Sequence, residues 1–352
     1  MPLKEMSEHD HEQVSYFHDE ETGLKAIIAI YDTSLGPALG GTRIWDYDTE
    51  EDALKDALRL SKGMAYKSAA AGLDLGGGKA VIMGDAEEIK TDQLLKNYGR
   101  AVESLNGRYI TAEDVNTEVE DMEVVCEETD HVVGLASGLG DPSPVTAHGV
   151  FHGIKACLDY KFGDSSVEGR EVLVQGVGKV GTALVEKLVD SGAEVMISDI
   201  DEEHVQELKE KFNIDSVDPE DVYSEPCDVF APCALGGVIN DETVPELECD
   251  IVAGSANNVL EERKHAEMLR DRDILYAPDY VINAGGLITV VQEMEGNSKE
   301  DAYDKTEEIS ERLEMIFEKS EEEDVSTVKA ADRFAEERMA EGKKERFATL
   351  ES

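Results

Sequence analysis

The amino-acid sequence predicts an α/β protein of two domains, a mixed α/β domain followed by a doubly wound parallel sheet. Two observations carry this. From about residue 140, short apolar segments alternate evenly with helical ones, the rhythm of a parallel sheet covered on both faces. Before that point strands and helices follow one another without it. At 352 residues the chain is long enough for two cores, and its 41% hydrophobic content is that of a globular protein.

In the first part, "KAIIAIYD" (25–32) reads as a strand. Thr49-x-x-Asp52 forms a capping box ahead of a helix whose apolar face is Leu54, Ala57, Leu58 and Met64, running out near Lys67. Next comes "GLDLGGGKAVI" (72–82), with three glycines directly before a lysine. A phosphate loop needs a glycine where Leu73 stands and a hydroxyl where Ala80 stands, followed by a helix. Ala80 to Met83 instead read as a buried strand closed by Gly84-Asp85, so no nucleotide triphosphate is expected there. The glycines remain either a turn carrying a solvated lysine or a backbone that must pass close to something.

In the second part the segments 171–175, 193–199, 227–232, 249–254 and 273–279 read as strands. The last fifty residues are helical and highly charged, and Ile309, Leu313, Ile316 and Phe317 make one apolar stripe suited to core packing.

The charge excludes several classes of partner. There are 80 Asp and Glu against 33 Lys and Arg, a net of −47, which speaks against nucleic acid or an anionic membrane surface. The acids are spread through every segment rather than gathered in a tail, the pattern of a protein adapted to a salt-filled cytoplasm, with an ordinary acidic mesophilic enzyme as the other reading. Cys126, Cys157, Cys227, Cys233 and Cys249 are odd in number and form no C-x-x-C pair, so neither a disulfide framework nor a zinc site is indicated and no metal is expected. With no basic apolar leader and no membrane-length apolar run, a cytoplasmic protein is expected.

Gly176-x-Gly178-x-x-Gly181 lies between a strand and a helix that runs to Gly192, and a second strand follows with Asp199 at its end. This is the full context of the Rossmann dinucleotide fingerprint, in which the turn, here Gly176, Val177, Gly178, Lys179, Val180 and Gly181, lets a pyrophosphate approach a helix N-terminus. Asp199 is placed to accept from ribose hydroxyls, and with Asp201 it would repel the extra phosphate of NADP, so NAD is the expected cofactor. Outside the carboxyl ends of the later strands lie "APCALGG" (231–237), "AGSANN" (253–258) and "APDYVINAGG" (277–286). Ala256, Asn257 and Asn283 in these loops are candidates to meet the cofactor, the two asparagines to orient its nicotinamide amide or the substrate.

Lys67 and Lys79 lie in a stretch poor in charge, and Asp114 in "GRYITAEDV" has similarly apolar neighbours. A lysine near apolar surface and a second cation loses proton affinity and can act as a base, with a carboxylate to relay the proton. A buried Lys–Asp pair that only holds the domain together is the other reading of the same residues.

"GPALGGTR" (36–43), "GLDLGGGKAVI", "NGRYITAEDVNT" (106–117), "PSPVTAHGV" (142–150), "CDVFAPCALGG" (227–237), "AGSANN" and "APDYVINAGG" occur in this order along nearly the whole chain. Together they resemble leucine dehydrogenase and its phenylalanine and valine relatives, and more distantly glutamate dehydrogenase. The resemblance implies oxidative deamination of an L-amino acid by NAD, with Lys79 activating water, Asp114 as its proton partner and Lys67 binding the substrate carboxylate. It implies that the three glycines let the backbone pass beside substrate, and that domain closure excludes water. It also implies a substrate domain over 1–140, a Rossmann NAD domain over 141–325, a helix over 326–352 returning to the first domain, and a homo-oligomer. The substrate side chain would meet Leu39, where glutamate dehydrogenase has a lysine, together with Gly40, Met64, Ala112, Leu287 and Val290. Ala112 with Leu287 narrows this wall, favouring leucine, isoleucine and valine. A phenylalanine- or glutamate-type enzyme is the alternative, as is an NAD-binding regulator of the same fold, although loss of Lys79 or Asp114 would be expected in the last.

Overall fold

The computed structural model describes residues 2–351, the side chains of Pro2 and of 345–351 aside. The chain divides into two compact units: residues up to Gly140 joined by those from Ala335 on, and residues Asp141–Phe334.

The first unit runs α1 (Pro2–Glu8), β1 (Gln13–His18), β2 (Lys25–Asp32), β3 (Ala38–Trp45), α2 (Glu50–Ala70), β4 (Gly76–Met83), α3 (Ala86–Ile89), α4 (Asp92–Glu103), β5 (Tyr109–Glu113) and α5 (Val119–Cys126). Among the described residues its sheet has the order β1-β2-β4-β3-β5, with β2 antiparallel to both neighbours and β3 parallel to β4 and β5. Side chains alternate across a strand, so Ile27, Ala29 and Val81 face Ala53, Leu54, Ala57 and Leu58 of α2. Ile28, Ile30, Ala80 and Ile82 pack with Leu94, Tyr98, Met122 and Val125 of α4 and α5 on the other face. Helix α2 starts at the expected cap, where Thr49 Oγ1 accepts from Asp52 N.

Two points left by the sequence are decided here. Of the two readings of the glycine run the turn is excluded, because β4 already begins at Gly76. Helix α2 continues to Ala70 instead of stopping near Lys67. Its final carbonyls have a cation to receive them: Arg338 Nη1 donates to Ala69 O at 3.1 Å and to Leu73 O at 2.7 Å, while Nη2 meets Asp74 at 2.7 Å.

The second unit runs α6 (Ser143–Phe162), β6 (Glu171–Gln175), α7 (Lys179–Asp190), β7 (Glu194–Ser198), α8 (Glu202–Phe212), β8 (Asp215–Ser216), β9 (Cys227–Pro232), β10 (Cys249–Val252), α9 (Lys264–Asp271), β11 (Leu275–Tyr276), α10 (Asp279–Ile282), α11 (Gly285–Met294), α12 (Lys299–Glu323) and α13 (Thr327–Glu351), the last continuing into the first unit. All described strands are parallel, in the order β11-β10-β9-β6-β7-β8. The order reverses between β9 and β6, which puts the switch-point crevice at their carboxyl ends. Strand β11 holds only two residues where seven were expected, since it is an edge strand paired with β10 only at Leu275 and Tyr276. Helix α12 packs on α6, and Ile309, Leu313, Ile316 and Phe317 are buried there. The close fit uses Gly149 of α6, where a Cβ would come within 2.7 Å of Ile309, and Gly153, where one would come within 3.1 Å of Leu313 and 2.5 Å of Ile282 on α10. No described helix is long and apolar enough to cross a membrane.

Candidate active site

In the first unit Lys79 stands on β4 between Gly78 and Ala80, on the face covered by α2, and is 4% exposed. Its Nζ lies 2.8 Å from Asp114 Oδ2. The same oxygen accepts from Arg43 Nε at 3.0 Å, and Arg43 Nη1 reaches Asp56 Oδ2 at 3.0 Å. Asp56 is held in turn by Tyr47 Oη at 2.8 Å and Arg59 Nη2 at 2.8 Å. Cation and anion therefore alternate from Lys79 through Asp114 and Arg43 to Asp56.

Burial is the largest influence on Lys79 and pushes its pKa down; Asp114 pulls it back up, Arg43 pushes it down again, and the net is a lysine below its ordinary value. Burial would raise Asp114, but Lys79, a backbone N–H at Val115 and Arg43 outweigh it, so the carboxylate stays ionised. Asp114 is fixed by the turn that follows β5. Its N–H donates to Thr117 Oγ1 at 2.9 Å, Thr117 Oγ1 donates to Thr42 O at 2.8 Å, and Asn116 takes a left-handed φ of 62°.

The glycines before Lys79 are demanded by packing within the unit. A Cβ at Gly76 would meet Asp32 O at 2.0 Å, one at Gly77 would meet Ala65 N at 2.1 Å and Ser61 O at 2.3 Å, and one at Gly78 would meet the Tyr109 ring at 2.6 Å. All three side-chain positions are filled by protein, so the run lets β4 lie close against Asp32, α2 and the Tyr109 ring. Gly40 behaves likewise, its missing Cβ facing Gly78 O at 1.7 Å while its carbonyl accepts from Tyr109 Oη at 2.6 Å.

Of the other expected residues, Met64 and Lys67 lie one turn apart on α2, both half-buried. Leu39 is buried on β3, and half-buried Ala112 on β5 pairs with Gly41. Leu287 and Val290 belong to the second unit, on α11. Arg43, Asp56, Tyr47 and Thr117 were not singled out from the sequence. Arg43 ends the quoted "GPALGGTR", and the only available signal was an arginine two strand positions past a glycine pair.

In the second unit the turn after β6 has the geometry its spacing demands. Gly176 has φ 93° and packs on Ala234, and Gly181 lets α7 close on Gly176 O, which a Cβ would meet at 2.0 Å. Gly178 caps α7 and has nothing within 4 Å of its Cβ position, so open space stands over the helix N-terminus. Asp199 Oδ2 accepts from Val177 N at 2.7 Å and Oδ1 from Asp201 N at 3.0 Å, leaving each oxygen a further lone pair for a hydroxyl donor. These residues fit a dinucleotide. Lys179 is exposed beside Asp141 at 3.7 Å, and Val180 is half-buried. Beyond β10 and β11, Asn283 Nδ2 donates to Asn257 Oδ1 at 2.9 Å and to Ala256 O at 3.3 Å, so the three candidates of those loops meet.

Comparison with known proteins agrees with this layout. The family model for the Glu/Leu/Phe/Val dehydrogenase dimerisation domain matches residues 11–131, and that for Glutamate/Leucine/Phenylalanine/Valine dehydrogenase matches 197–346. A TrkA-N domain model matches 172–221. Leucine dehydrogenase from Geobacillus stearothermophilus is 50% identical over 353 residues, covering 99% of this chain and 96% of that protein. The crystal structure of L-tryptophan dehydrogenase from Nostoc punctiforme superposes with a TM-score of 0.91 at 46% identity, over 97% of this chain and 100% of that one. Glutamate dehydrogenase from Peptoniphilus asaccharolyticus shares the fold, with a TM-score of 0.76 at 22% identity over 98% of this chain and 95% of that one.

Proposed function

This chain belongs to the Glu/Leu/Phe/Val dehydrogenase family of amino-acid oxidoreductases, and we propose that it carries out reversible, NAD-dependent oxidative deamination of branched-chain L-amino acids. The observation that carries the reading is the Lys79–Asp114 pair, a buried lysine of depressed pKa held 2.8 Å from an ionised carboxylate. When bound, NAD supplies the acceptor for the hydride from the α-carbon, and Gly176, Gly178, Gly181 and Asp199 are the residues that hold it. Lys79 in its uncharged form takes a proton from the water that adds to the substrate's iminium carbon. Asp114, ionised at rest, first accepts a proton from the substrate's ammonium group and later returns it to the amino nitrogen, so that ammonia departs as the hydroxyl proton passes to water. Arg43 holds Asp114 in place and favours the uncharged state of Lys79. Lys67 pairs with the α-carboxylate, and Leu39 offers no partner for a second one.

The leucine dehydrogenases among its relatives support the branched-chain choice, as does an apolar residue at position 39. The same proposal includes a homo-oligomer in the cytoplasm, the former supported by a family model described as a dimerisation domain. The deciding assay measures NADH formation with leucine, isoleucine, valine, phenylalanine, tryptophan and glutamate in molar KCl. Higher kcat/KM for an aromatic substrate than for all three aliphatic ones overturns the specificity. No turnover of any of them overturns the activity.

A further inference from the structure

His148 and His152 sit four residues apart on α6, which puts both imidazoles on one face of the helix, their ring centroids 4.5 Å apart. Glu307 comes across from α12, with Oε1 3.4 Å from His148 Nε2 and 3.8 Å from His152 Nε2. One donor atom from each of the three lies within 4.8 Å of the others. None of them takes part in the reaction proposed above.

Hydrogen bonding does not account for the arrangement. A 3.4 Å contact is long for N–H···O, and His148 Nδ1 is buried without a hydrogen-bond partner. We propose that His148, His152 and Glu307 are a binding site for a borderline divalent transition metal of the zinc, cobalt and nickel kind, an ion that clamps α6 to α12.

The chemistry of the donors suits that class. Two imidazoles and a carboxylate are the ligand set of three-residue zinc sites that leave a position for water. Bonds of about 2.0–2.1 Å in a tetrahedral shell put ligand atoms roughly 3.3 Å apart, close to both histidine–carboxylate separations here. The charged groups facing the cluster are Lys155 and Lys187 against Glu307 and Asp304, so the surroundings are balanced. A hollow of about 250 Å³ beside His152, lined by Lys155, Asp159, Ser310 and Glu314, gives water and the ion a way in. The cysteine spacing gave no sign of this site, because its donors are histidine and glutamate.

The test uses full-length protein stripped with a chelator and titrated in molar KCl with Co²⁺, followed by its visible ligand-field absorption, and with Zn²⁺, followed by calorimetry. One equivalent per chain is expected, not displaced by excess Mg²⁺, and Zn²⁺ should raise the melting temperature. His152→Ala and Glu307→Gln should each weaken binding at least tenfold and abolish that rise. Glu307 is half exposed, so its variant decides the matter if the histidine variant fails to fold. Absence of a stoichiometric ligand-field band, displacement by Mg²⁺, or unchanged binding in Glu307→Gln overturns the site.

Discussion

Lys79 Nζ lies 2.8 Å from Asp114 Oδ2 although Lys79 is 4% exposed, so the amine is both buried and paired with an anion. Lys79→Ala is expected to abolish turnover while NAD still binds, because the glycine turn lies in the other unit. The loss should fall on kcat far more than on KM; near-normal kcat would make the pair structural. The proposed mechanism needs the uncharged amine, so kcat/KM should rise with pH through a pKa below the ordinary lysine value. Arg43 pushes that pKa down, so Arg43→Gln should move the acid limb to higher pH and lower kcat by about 10²-fold. An unmoved limb rejects its role.

Two glycine substitutions should separate packing from cofactor binding. Gly77→Ala drives a Cβ into the backbone of α2, a destabilisation of about 1–3 kcal/mol or more that lowers the denaturant midpoint. Gly178→Ala meets nothing in the protein, so the midpoint should hold while the Kd for NAD rises. Equal midpoints for the two variants would contradict this assignment.

Glutamate should be a very poor substrate. Leu39 gives its distal carboxylate no cation, and an unpaired buried charge costs on the order of 3–5 kcal/mol. Leu39→Lys should raise kcat/KM for glutamate and lower it for leucine, read in the same NADH assay. Efficient glutamate turnover by the parent chain would remove Leu39 from the pocket.

The charge of −47 should make stability depend on salt. Screening shortens from about 10 Å at 0.1 M to about 3 Å at 1 M, so dilution from molar KCl should lower the melting temperature and the activity together. Equal melting temperatures at low and molar KCl would count against a salt-adapted surface.

Local signals in the sequence determined much of this protein. The strands at 25–32, 171–175 and 227–232 were legible to the residue, since a continuous apolar run bounded by polar residues has few other conformations to adopt. The cap at Thr49 and the turn from Gly176 to Gly181 were legible because capping and left-handed φ are decided within a few residues. Lys79 and Asp114 were legible as candidates, but whether they met was not. Their contact depends on β4, β3 and β5 lying side by side, which brings Arg43 and the turn at Thr117 to the same carboxylate. Whether Gly76, Gly77 and Gly78 formed a turn or a close approach stayed open because the atoms that exclude their side chains come from Asp32, from Ser61 and Ala65, and from Tyr109. Strand β11 shrank to two residues because pairing with β10, not its own apolar run, sets its length. His148 and His152 gain Glu307 only when α12 lies on α6. Periodicity and turn chemistry act over a few residues and can be read along the chain, whereas a pairing between distant residues exists only once the order of strands and helices has been set.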